Sequence, residues 1–463
     1  MASFTKSIDE LKAVFAKEKE EILRDYFTFL RFKSLSADPA FRKDLEACCS
    51  WLEHYLQKCQ LKVEKWEKKG GAPILFAESK HPDPQKETIL LYNHYDVQPV
   101  DPIDLWTSPP FEPTVREGEV YARGASDNKG QCFYTIRALK TLLESNDPPA
   151  VNIKFLIEGE EEFGSGTLFS LLEEKKERLK ADHILIIDSH ILAKDRPAIT
   201  LGARGLVAMT VTLSEASFDL HSGVCGGIVF NPNRALVELL ASTHDKDNRV
   251  TIPHFYDDIV PISDAEKKLY DLSFDVHGFK EKFGAQPIGV EKGYSPAEAV
   301  AFRPTLEING LAGGYGGAGF KTVIPAQAVA KISCRLVPDQ SPEKIGNLVK
   351  EYLIAHTPKG ISIDVEIHPG KGAGLRTKAD SKIAAVMSEA YVEVFQKECA
   401  RIILGASVPI AAELQRVAGA DLILVGVGLS DDRIHSPNEH FGIDRLELGF
   451  LTISRVLESL RKS

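Results

Sequence analysis

The chain has 463 residues, of which 43% are hydrophobic and 26% are charged, and its net charge is −10. This length favours two domains, because single hydrophobic cores rarely grow beyond about 300 residues. The acidic balance argues against a nucleic-acid partner, which usually requires a basic surface.

The N-terminal stretch, MASFTKSIDELKAVFAKEKEEILRDYF, is charged and heptad-like, unlike a secretory signal peptide. No apolar run approaches the roughly 20 residues of a membrane span, and LILVGVGL is too short. The seven cysteines form neither a CxxC pair nor a zinc-finger spacing. We therefore expect a cytoplasmic protein without a membrane partner, in which any metal is bound by histidine and carboxylate ligands.

Predicted helices and strands alternate in the N-terminal part of the chain. After the first helical stretch come helix AFRKDLEACCSWLEHYLQKC, strands PILFAES and TILLYNHYD, helix NKGQCFYTIRALKTLLE, strand NIKFLIEGEEE, helix GTLFSLLEEKKERLK, and strands HILIIDS and AITLGARG. This alternation is typical of an α/β sheet with helices on its faces.

From about Leu206 the order becomes β-α-β-β-α-β. The elements are strand GLVAMTVTLS, helix NPNRALVELLAS, strands TLEING and AVAKISCRLVP, helix SPEKIGNLVKEYLIAH and strand ISIDVEIHP. This is the order of the ferredoxin-like motif, interrupted by a long irregular insert at about 245–304.

After about Gly372 the α/β pattern returns, with helix SKIAAVMSEAYVEVFQ, strand DLILVGVGL and helix GIDRLELGFLTISRVLESL. We therefore predict a discontinuous α/β domain of residues 1–205 and 373–463. A smaller domain of residues 206–372 is inserted into it.

Acidic and histidine side chains follow the apolar strands of the predicted α/β domain. They are His94 and Asp96 after TILLYN, Glu160, Glu161 and Glu162 after NIKFLIEG, Asp188 and His190 after HILII, and Asp431, Asp432 and His435 after LILVGVGL. Asp127 precedes the helix that begins with NKGQ, where it is also a helix-cap candidate. Ligands bind beyond the carboxyl ends of strands in such sheets, and so many carboxylates in one crevice require a cation.

Two histidines with several carboxylates suit zinc, with manganese or cobalt as alternatives. Two metals a few Å apart need a bridging carboxylate, and a spare glutamate could act as general base on the bridging water. The residues alone do not choose between Glu160, Glu161 and Glu162. Neighbours in an extended chain point in opposite directions, so Glu161 and Glu162 should differ in role.

Eight segments together resemble the di-zinc metallopeptidase family of carnosinase-type cytosolic dipeptidases, carboxypeptidases, aminoacylases and acetylornithine deacetylase. They are NHYDVQPV, LWTSPPFEP, YARGASDNKGQ, IEGEEEFGS, IIDS, DLHSGVCGG, KTVIPAQAVAKISCRLVP and IHSPNE. LWTSPPFEP, DLHSGVCGG and KTVIP are most similar to the dipeptidase branch. The resemblance implies a zinc-peptidase-like α/β/α catalytic domain with an inserted ferredoxin-like lid or dimerisation domain.

The resemblance also implies roles for residues of the catalytic domain. His94 and Asp188 would bind one metal, Glu162 and His435 the other, and Asp127 both, while Asp96 would orient His94 and Glu161 would be the general base. A cis peptide bond between Asp127 and Asn128 is also typical of the family.

In the inserted domain, the resemblance implies that His221 stabilises the oxyanion, across a dimer interface in many relatives. Arg335 lies mid-strand and would bind the terminal carboxylate of the substrate in bidentate fashion. Thr322 would add a hydrogen bond, and Ser407 and Gly405 would bind the same end of the substrate.

His368 is a further substrate-binding candidate that could equally be a surface residue. The segment Leu404-Gly-Ala-Ser-Val-Pro departs from the dipeptidase pattern, in which an acidic residue often precedes Gly-Gly-Ser-Ile-Pro. If that position contacts the amino group of the substrate, Leu404 changes the specificity.

The predicted function is hydrolysis of a peptide bond in dipeptides or at the end of short peptides. The agents would be a hydroxide bound to two divalent metals and a glutamate base, in a homodimer formed through the inserted domain. The alternative is an N-acyl-amino-acid deacylase with the same site. A scaffold protein would have lost the metal residues, which are present. A nucleotide enzyme is disfavoured because GLAGGYGGAGFKT lacks the adjacent Gly-Lys of a phosphate-binding loop.

Overall fold

A computed structural model of the chain describes residues 6–145 and 149–460, so the first five residues of the N-terminal stretch lie outside the described part. The strands are β1 Leu61–Trp66, β2 Ile74–Ser79, β3 Thr88–His94, β4 Thr114–Arg116, β5 Glu119–Tyr121, β6 Asn152–Glu158, β7 His183–Ile187, β8 Ala198–Ala203, β9 Gly205–Ser214, β10 Leu220–His221, β11 Thr305–Gly313, β12 Val323–Ile324, β13 Gln327–Leu336, β14 Ser362–Ile367, β15 Leu375–Arg376, β16 Ala400–Leu404, β17 Asp421–Val425 and β18 His440–Gly442.

The helices are α1 Ile8–Arg31, α2 Arg42–Lys58, α3 Lys129–Leu143, α4 Gly166–Leu171, α5 Lys176–Leu179, α6 Ser222–Cys225, α7 Pro232–Ala241, α8 Asp264–Lys267, α9 Val276–Phe283, α10 Pro296–Phe302, α11 Pro342–His356, α12 Lys382–Phe395, α13 Pro409–Ala418 and α14 Ile443–Ser459. Short 3₁₀ turns lie at Pro39–Phe41, Ile103–Leu105 and Glu161–Phe163. Among the described residues, no helix combines the length and the apolar character that a membrane crossing needs.

The chain divides into two compact units. The first unit contains the residues up to Leu201, Thr377–Ile402 and the residues from Glu413 onward, and the second contains Gly202–Arg376 and Ile403–Ala412. The sequence placed the segment Ile403–Ala412 in the discontinuous domain, whereas by contacts it groups with the second unit. The catalytic and lid assignments of the two units stay predictions.

A mixed sheet with the strand order β1-β2-β6-β3-β7-β17-β8 forms the centre of the first unit. Strands β6, β3, β7 and β17 are parallel, while β1, β2 and β8 run antiparallel to their neighbours. Strand β7 is buried at every position and β3 at all but its first, as expected for parallel strands with helices on both faces. The carboxyl ends of four parallel strands therefore meet at one edge.

Two predicted elements of the first unit end earlier than the sequence suggested. The helix expected over GTLFSLLEEKKERLK is divided into α4 and α5 by turns at residues 172–175. Only Leu179 is buried after Leu172 in this segment, so little tertiary packing holds a continuous helix there. Strand NIKFLIEGEEE ends at Glu158, and its last acidic residues belong to the turn Glu161–Phe163.

The second unit contains an antiparallel sheet with the order β11-β13-β9-β14. Helices α7 and α11 contact this sheet, and the chain order β9-α7-β11-β13-α11-β14 confirms the predicted ferredoxin-like motif. Burial alternates along β9, so one face of the sheet forms the core. The long insert between α7 and β11 contains the short helices α8, α9 and α10.

Candidate metal centre

Five predicted metal ligands converge at the edge of the first unit's sheet. His94 ends β3, Glu162 lies in the turn after β6, Asp188 follows β7, His435 lies in the loop after β17, and Asp127 precedes α3. Their ligand atoms form two groups, His94–Asp127–Asp188 and Asp127–Glu162–His435, each within 4.8 Å. Asp127 belongs to both groups.

In the first group, His94 is fully buried, and its Nε2 lies 3.1 Å from Asp127 Oδ1 and 3.4 Å from Asp188 Oδ2. This nitrogen nevertheless makes no hydrogen bond of acceptable geometry to a described residue. Asp188 Oδ1 accepts a hydrogen bond of 2.7 Å from Asn128 Nδ2, which orients the carboxylate. The arrangement leaves the imidazole nitrogen and the carboxylates directed at a shared cation position.

In the second group, His435 Nε2 lies 3.0 Å from Asp127 Oδ2 and 3.2 Å from Glu162 Oε2. Gln98 Nε2 donates to Glu162 Oε2 at 2.9 Å and fixes that carboxylate. The side chain of His435 is half exposed, so this group opens to solvent more than the His94 group does.

Asp96 is buried and connects both groups. His94 Nδ1 lies 3.3 Å from Asp96 Oδ1 and 3.1 Å from the Asp96 carbonyl oxygen. The same carboxylate accepts the hydroxyl of Ser36 at 2.6 Å and the backbone N–H groups of Glu161 and Glu162 at 3.2 and 3.1 Å. Asp96 thus orients the imidazole and also holds the turn that carries both glutamates.

The three consecutive glutamates differ in the contacts that their carboxylates make. Glu160 accepts hydrogen bonds from the backbone N–H groups of Ala72 and Thr167 at 2.5 and 2.8 Å, so its role is structural. Glu161 and Glu162 lie in a 3₁₀ turn, so the argument from an extended chain does not apply to them. Glu162 joins a ligand group, whereas the Glu161 carboxylate makes no hydrogen bond to any described residue.

The pKa values of the site reflect its crowded charges. Hydrogen bonds to Asp127 and Glu162 raise the pKa of His435 to about 10. Burial raises the pKa of Glu161 well above its usual range, against the influence of His94 and together with that of Asp188. Burial also opposes ionisation of Asp127, but the hydrogen bond to His435 and the imidazole of His94 close by outweigh it and lower the pKa of Asp127. A divalent cation would replace these protons as the neutralising charge.

The donor set fits two divalent cations that share Asp127. Each group offers one imidazole nitrogen and carboxylate oxygens, which are ligands of zinc, manganese and cobalt. The buried His94 Nε2 has no hydrogen-bond partner within the described part of the chain, which suits a nitrogen that binds a metal.

Glu439 is a residue of the site that the sequence reasoning missed. It is buried, and its carboxylate accepts the backbone N–H groups of Gly124, Ser126 and Asp127 at 2.9, 2.9 and 3.0 Å. Arg123 Nη1 donates to it at 2.7 Å. Glu439 therefore fixes the loop that presents Asp127, and the available signal was its place in IHSPNE, from which only His435 was selected.

Other acidic strand-end residues stand outside the ligand groups. Asp432 is buried in an ion pair with Arg445 at 2.6 Å and accepts the hydroxyl of Ser126 at 2.7 Å. Asp431 is exposed. The peptide bond between Asp127 and Asn128 is cis, as the family resemblance implied.

Three of the predicted substrate-binding residues lie together in the second unit. Arg335, on β13, donates from Nη1 to Ser407 Oγ at 2.9 Å. The carbonyl of Gly405 accepts Nε of Arg204 at 2.9 Å. A Cβ atom on Gly405 would lie 2.6 Å from Val300 Cγ1, so this close approach requires glycine.

His221 and Thr322 lie on one exposed ribbon of the second unit. His221 ends β10, which pairs with β12, and its Nδ1 accepts the N–H of Gly223 at 2.9 Å. The carbonyl of Thr322 accepts the N–H of Ser222 at 3.1 Å. The roles of both residues stay predictions.

His368, the remaining substrate-binding candidate, contacts the antiparallel sheet of the same unit. Its Nε2 lies 2.7 Å from the hydroxyl of Thr210, which accepts Nζ of Lys331 at 2.6 Å. These contacts fasten His368 to the sheet, and nothing in them points to a ligand.

The fold and the paired ligand groups are those of a metal-dependent hydrolase. The profile of Peptidase family M20/M25/M40 matches residues 90–459. The chain is 30% identical over 463 residues to the Cys-Gly metallodipeptidase dug1 of Schizosaccharomyces pombe, covering 96% of each. It is 33% identical over 377 residues to the Beta-Ala-His dipeptidase of Homo sapiens, covering 79% of this chain and 73% of that relative.

Among solved structures, the M20 family metallo-carboxypeptidase Sso-CP2 from Sulfolobus solfataricus has a TM-score of 0.81 and 33% identity, over 95% of this chain and 98% of that one. The chain therefore belongs to the M20/M25/M40 peptidase family. It is a metal-dependent peptidase that hydrolyses peptide bonds, which confirms the predicted family, fold class and activity.

Proposed function

We propose that the chain hydrolyses dipeptides, or the terminal peptide bond of short peptides, with two zinc ions. The observation that carries this proposal is the sharing of Asp127 by two complete ligand groups. The named activities of two relatives, a Cys-Gly metallodipeptidase and a Beta-Ala-His dipeptidase, favour dipeptides over N-acyl amino acids as substrates.

The proposed ligands are His94 and Asp188 for one ion, Glu162 and His435 for the other, and Asp127 for both. When bound, the ions would supply Lewis-acid activation of water and of the scissile carbonyl. Asp96 would hold the ring of His94 and the turn bearing Glu161 in place, as carboxylates that contact metal-binding histidines do.

Glu161 would accept the proton of the attacking water and return it to the leaving amine. Its carboxylate is partly buried and has no hydrogen-bond partner among the described residues, and its raised pKa favours the acceptance of a proton. Arg335 and Ser407, with Gly405 and Thr322, would bind the carboxylate end of the substrate. His221 would donate to the carbonyl oxygen as negative charge develops there.

We also propose a cytoplasmic location and a homodimer. The described cysteines are all free thiols, which suits a reducing compartment. The second unit exposes large apolar side chains, among them Phe218 at 70%, Ile228 at 80% and Phe320 at 91%. Such apolar residues favour burial against a second copy of this unit.

The test is hydrolysis of several dipeptides, a tripeptide and an N-acetyl amino acid by metal-reconstituted protein. We expect dipeptide turnover that requires metal and falls about 10²–10⁴-fold in Glu161→Gln. Metal content should stay at two ions per chain in that variant. Asp431→Asn, a change of a nearby exposed carboxylate, should leave both quantities unchanged. Turnover of the acetylated substrate alone would assign the chain to the deacylases, and absence of bound metal would contradict the proposal.

A further inference from the structure

A cavity of about 350 Å³ lies within the second unit, between the strands that carry Arg335 and the long insert. Arg204, Glu307 and Arg335 line its polar side. Phe274, Phe279, Val290 and Val300, all from the insert, line its apolar side. Its size is that of a pocket for a small ligand.

Glu307 lies near the two guanidinium groups of the cavity but forms a salt bridge with neither of them. Arg335 donates to the hydroxyl of Ser407, and Arg204 donates to the backbone carbonyl of Gly405. Neither arginine forms an ion pair with any described carboxylate. Burial and repulsion from the nearby Arg335 lower the pKa of Arg204 to about 10, and the Glu307 carboxylate offsets this effect only in part. An anion between them would relieve this repulsion.

The apolar side of the cavity is held in place by the insert's own contacts. Arg303 makes two hydrogen bonds of 2.8 Å to Glu291, and Asn248 Nδ2 donates to the carbonyl of Val290 at 3.2 Å. The rings of Phe274 and Phe279 pack with centroids 5.3 Å apart. The wall is therefore formed before any ligand binds, which lowers the entropic cost of binding.

We propose that this cavity selects the C-terminal residue of the substrate, with the carboxylate on Arg335 and Arg204 and the side chain against the insert's apolar wall. The inference rests on the proposed function, for which it names the substrate class: peptides with a bulky apolar C-terminal residue such as Phe, Leu or Met. A C-terminal glycine would leave the wall without a contact.

The test compares kcat/KM for Ala-Phe, Ala-Gly and Ala-Asp on the metal-loaded full chain. We expect Ala-Phe to exceed Ala-Gly at least ~10-fold, because even one methylene in an apolar pocket changes specificity about 10–200-fold. The double variant Phe274→Ala/Phe279→Ala should lower this ratio about tenfold, with Ala-Gly changed less than about twofold. Val276→Ala, on the same helix as Phe279 at a position 52% exposed, is the matched control and should change neither the ratio nor the turnover of Ala-Gly.

A second readout is independent of turnover. Calorimetry with the metal-loaded Glu161→Gln variant should show that Ala-Phe binds more tightly than Ala-Gly. If the double variant also loses Ala-Gly hydrolysis, the ratio is measured in Val300→Ala, which shortens one side chain of the apolar wall and should lower the ratio as well.

The outcomes separate the two proposals. Hydrolysis of dipeptides with equal or higher kcat/KM for Ala-Gly would overturn the inference and leave the proposed function intact. A preference for Ala-Asp would place Arg204 against the substrate side chain and also overturn it. If the metal-loaded wild-type protein hydrolyses no dipeptide, both the proposed function and this inference are wrong.

Discussion

At the scale of single residues, Asp96 connects the two ligand groups of the metal centre. It faces His94 Nδ1 and accepts two backbone N–H groups from the turn of Glu161 and Glu162. An amide in its place would direct an NH₂ group at one of these donors.

We therefore expect Asp96→Asn to lower zinc affinity or kcat about 10–100-fold, the usual cost of losing such an outer carboxylate. Ser36→Ala removes only one hydrogen bond to the same carboxylate and should have a smaller effect. Competition titration with a zinc chelator measures the zinc affinity of each variant, and steady-state kinetics measures its kcat. Equal effects of the two substitutions would contradict the role assigned to Asp96.

The pKa of His435 predicts how metal binding depends on pH. Without metal, this imidazole is protonated up to about pH 10, whereas a metal ligand must be neutral. Zinc affinity should therefore rise with pH between about 6.5 and 10, by about tenfold per unit for each histidine that loses a proton. Zinc titrations at several pH values measure the slope, and His277→Gln, an exposed site, is the control. A pH-independent affinity would contradict this reasoning.

The raised pKa of His435 has the opposite effect on the stability of the metal-free protein, which falls as the pH rises. Because the folded pKa of His435 lies above its unfolded value, its contribution to stability is complete below about pH 6.5 and is lost as the pH rises toward 10. Chelator-treated protein should thus become easier to unfold with urea across this interval, while metal-loaded protein should not.

At the scale of elements, the loop before α3 depends on one distant carboxylate. Glu439 binds three successive donors of this loop and the buried guanidinium of Arg123. Both side chains of the ion pair are 1% exposed, so removal of one charge leaves the other buried without compensation.

We expect Glu439→Gln to lower the free energy of unfolding by about 3 kcal/mol, measured by urea denaturation of the metal-free protein. Asp431→Asn, in the same segment but exposed, should change it by less than about 0.5 kcal/mol. Adding Arg123→Met to Glu439→Gln should recover part of the loss, because the uncompensated charge is then gone. A loss below 1 kcal/mol for Glu439→Gln would show that the ion pair is dispensable.

At the scale of the whole molecule, the metal ligands all belong to the first unit, whereas the ferredoxin-like core belongs to the second. A ligand stabilises the part of a protein that binds it, by about 4 kcal/mol at a concentration 1,000 times its dissociation constant. Metal should therefore protect the strand ends of the first unit and leave the amides of β9 and β13 unchanged.

Hydrogen exchange with and without a chelator measures this difference. We expect faster exchange after chelation at the loop around Asp127, the turn after β6 and the loop around His435. Scanning calorimetry should show a lower unfolding temperature for the chelated protein. Uniformly faster exchange in both units would contradict a metal site confined to the first.

The sequence alone determined the family, the alternation of strands and helices, the ferredoxin-like order of the second unit and the clustering of acidic strand ends. These features follow from local periodicity and from short motifs, which are properties of neighbouring residues. The activity was predicted correctly because the motifs carry the chemistry.

Only the tertiary structure decided how the acidic residues divide between binding and support. Glu160 and Asp432 look like their neighbours in the sequence, yet one holds a backbone turn and the other pairs with Arg445. Glu439 lies 312 positions from Asp127 and nevertheless fixes its backbone. Such roles depend on contacts between residues remote in the chain, and local patterns contain no information about those contacts.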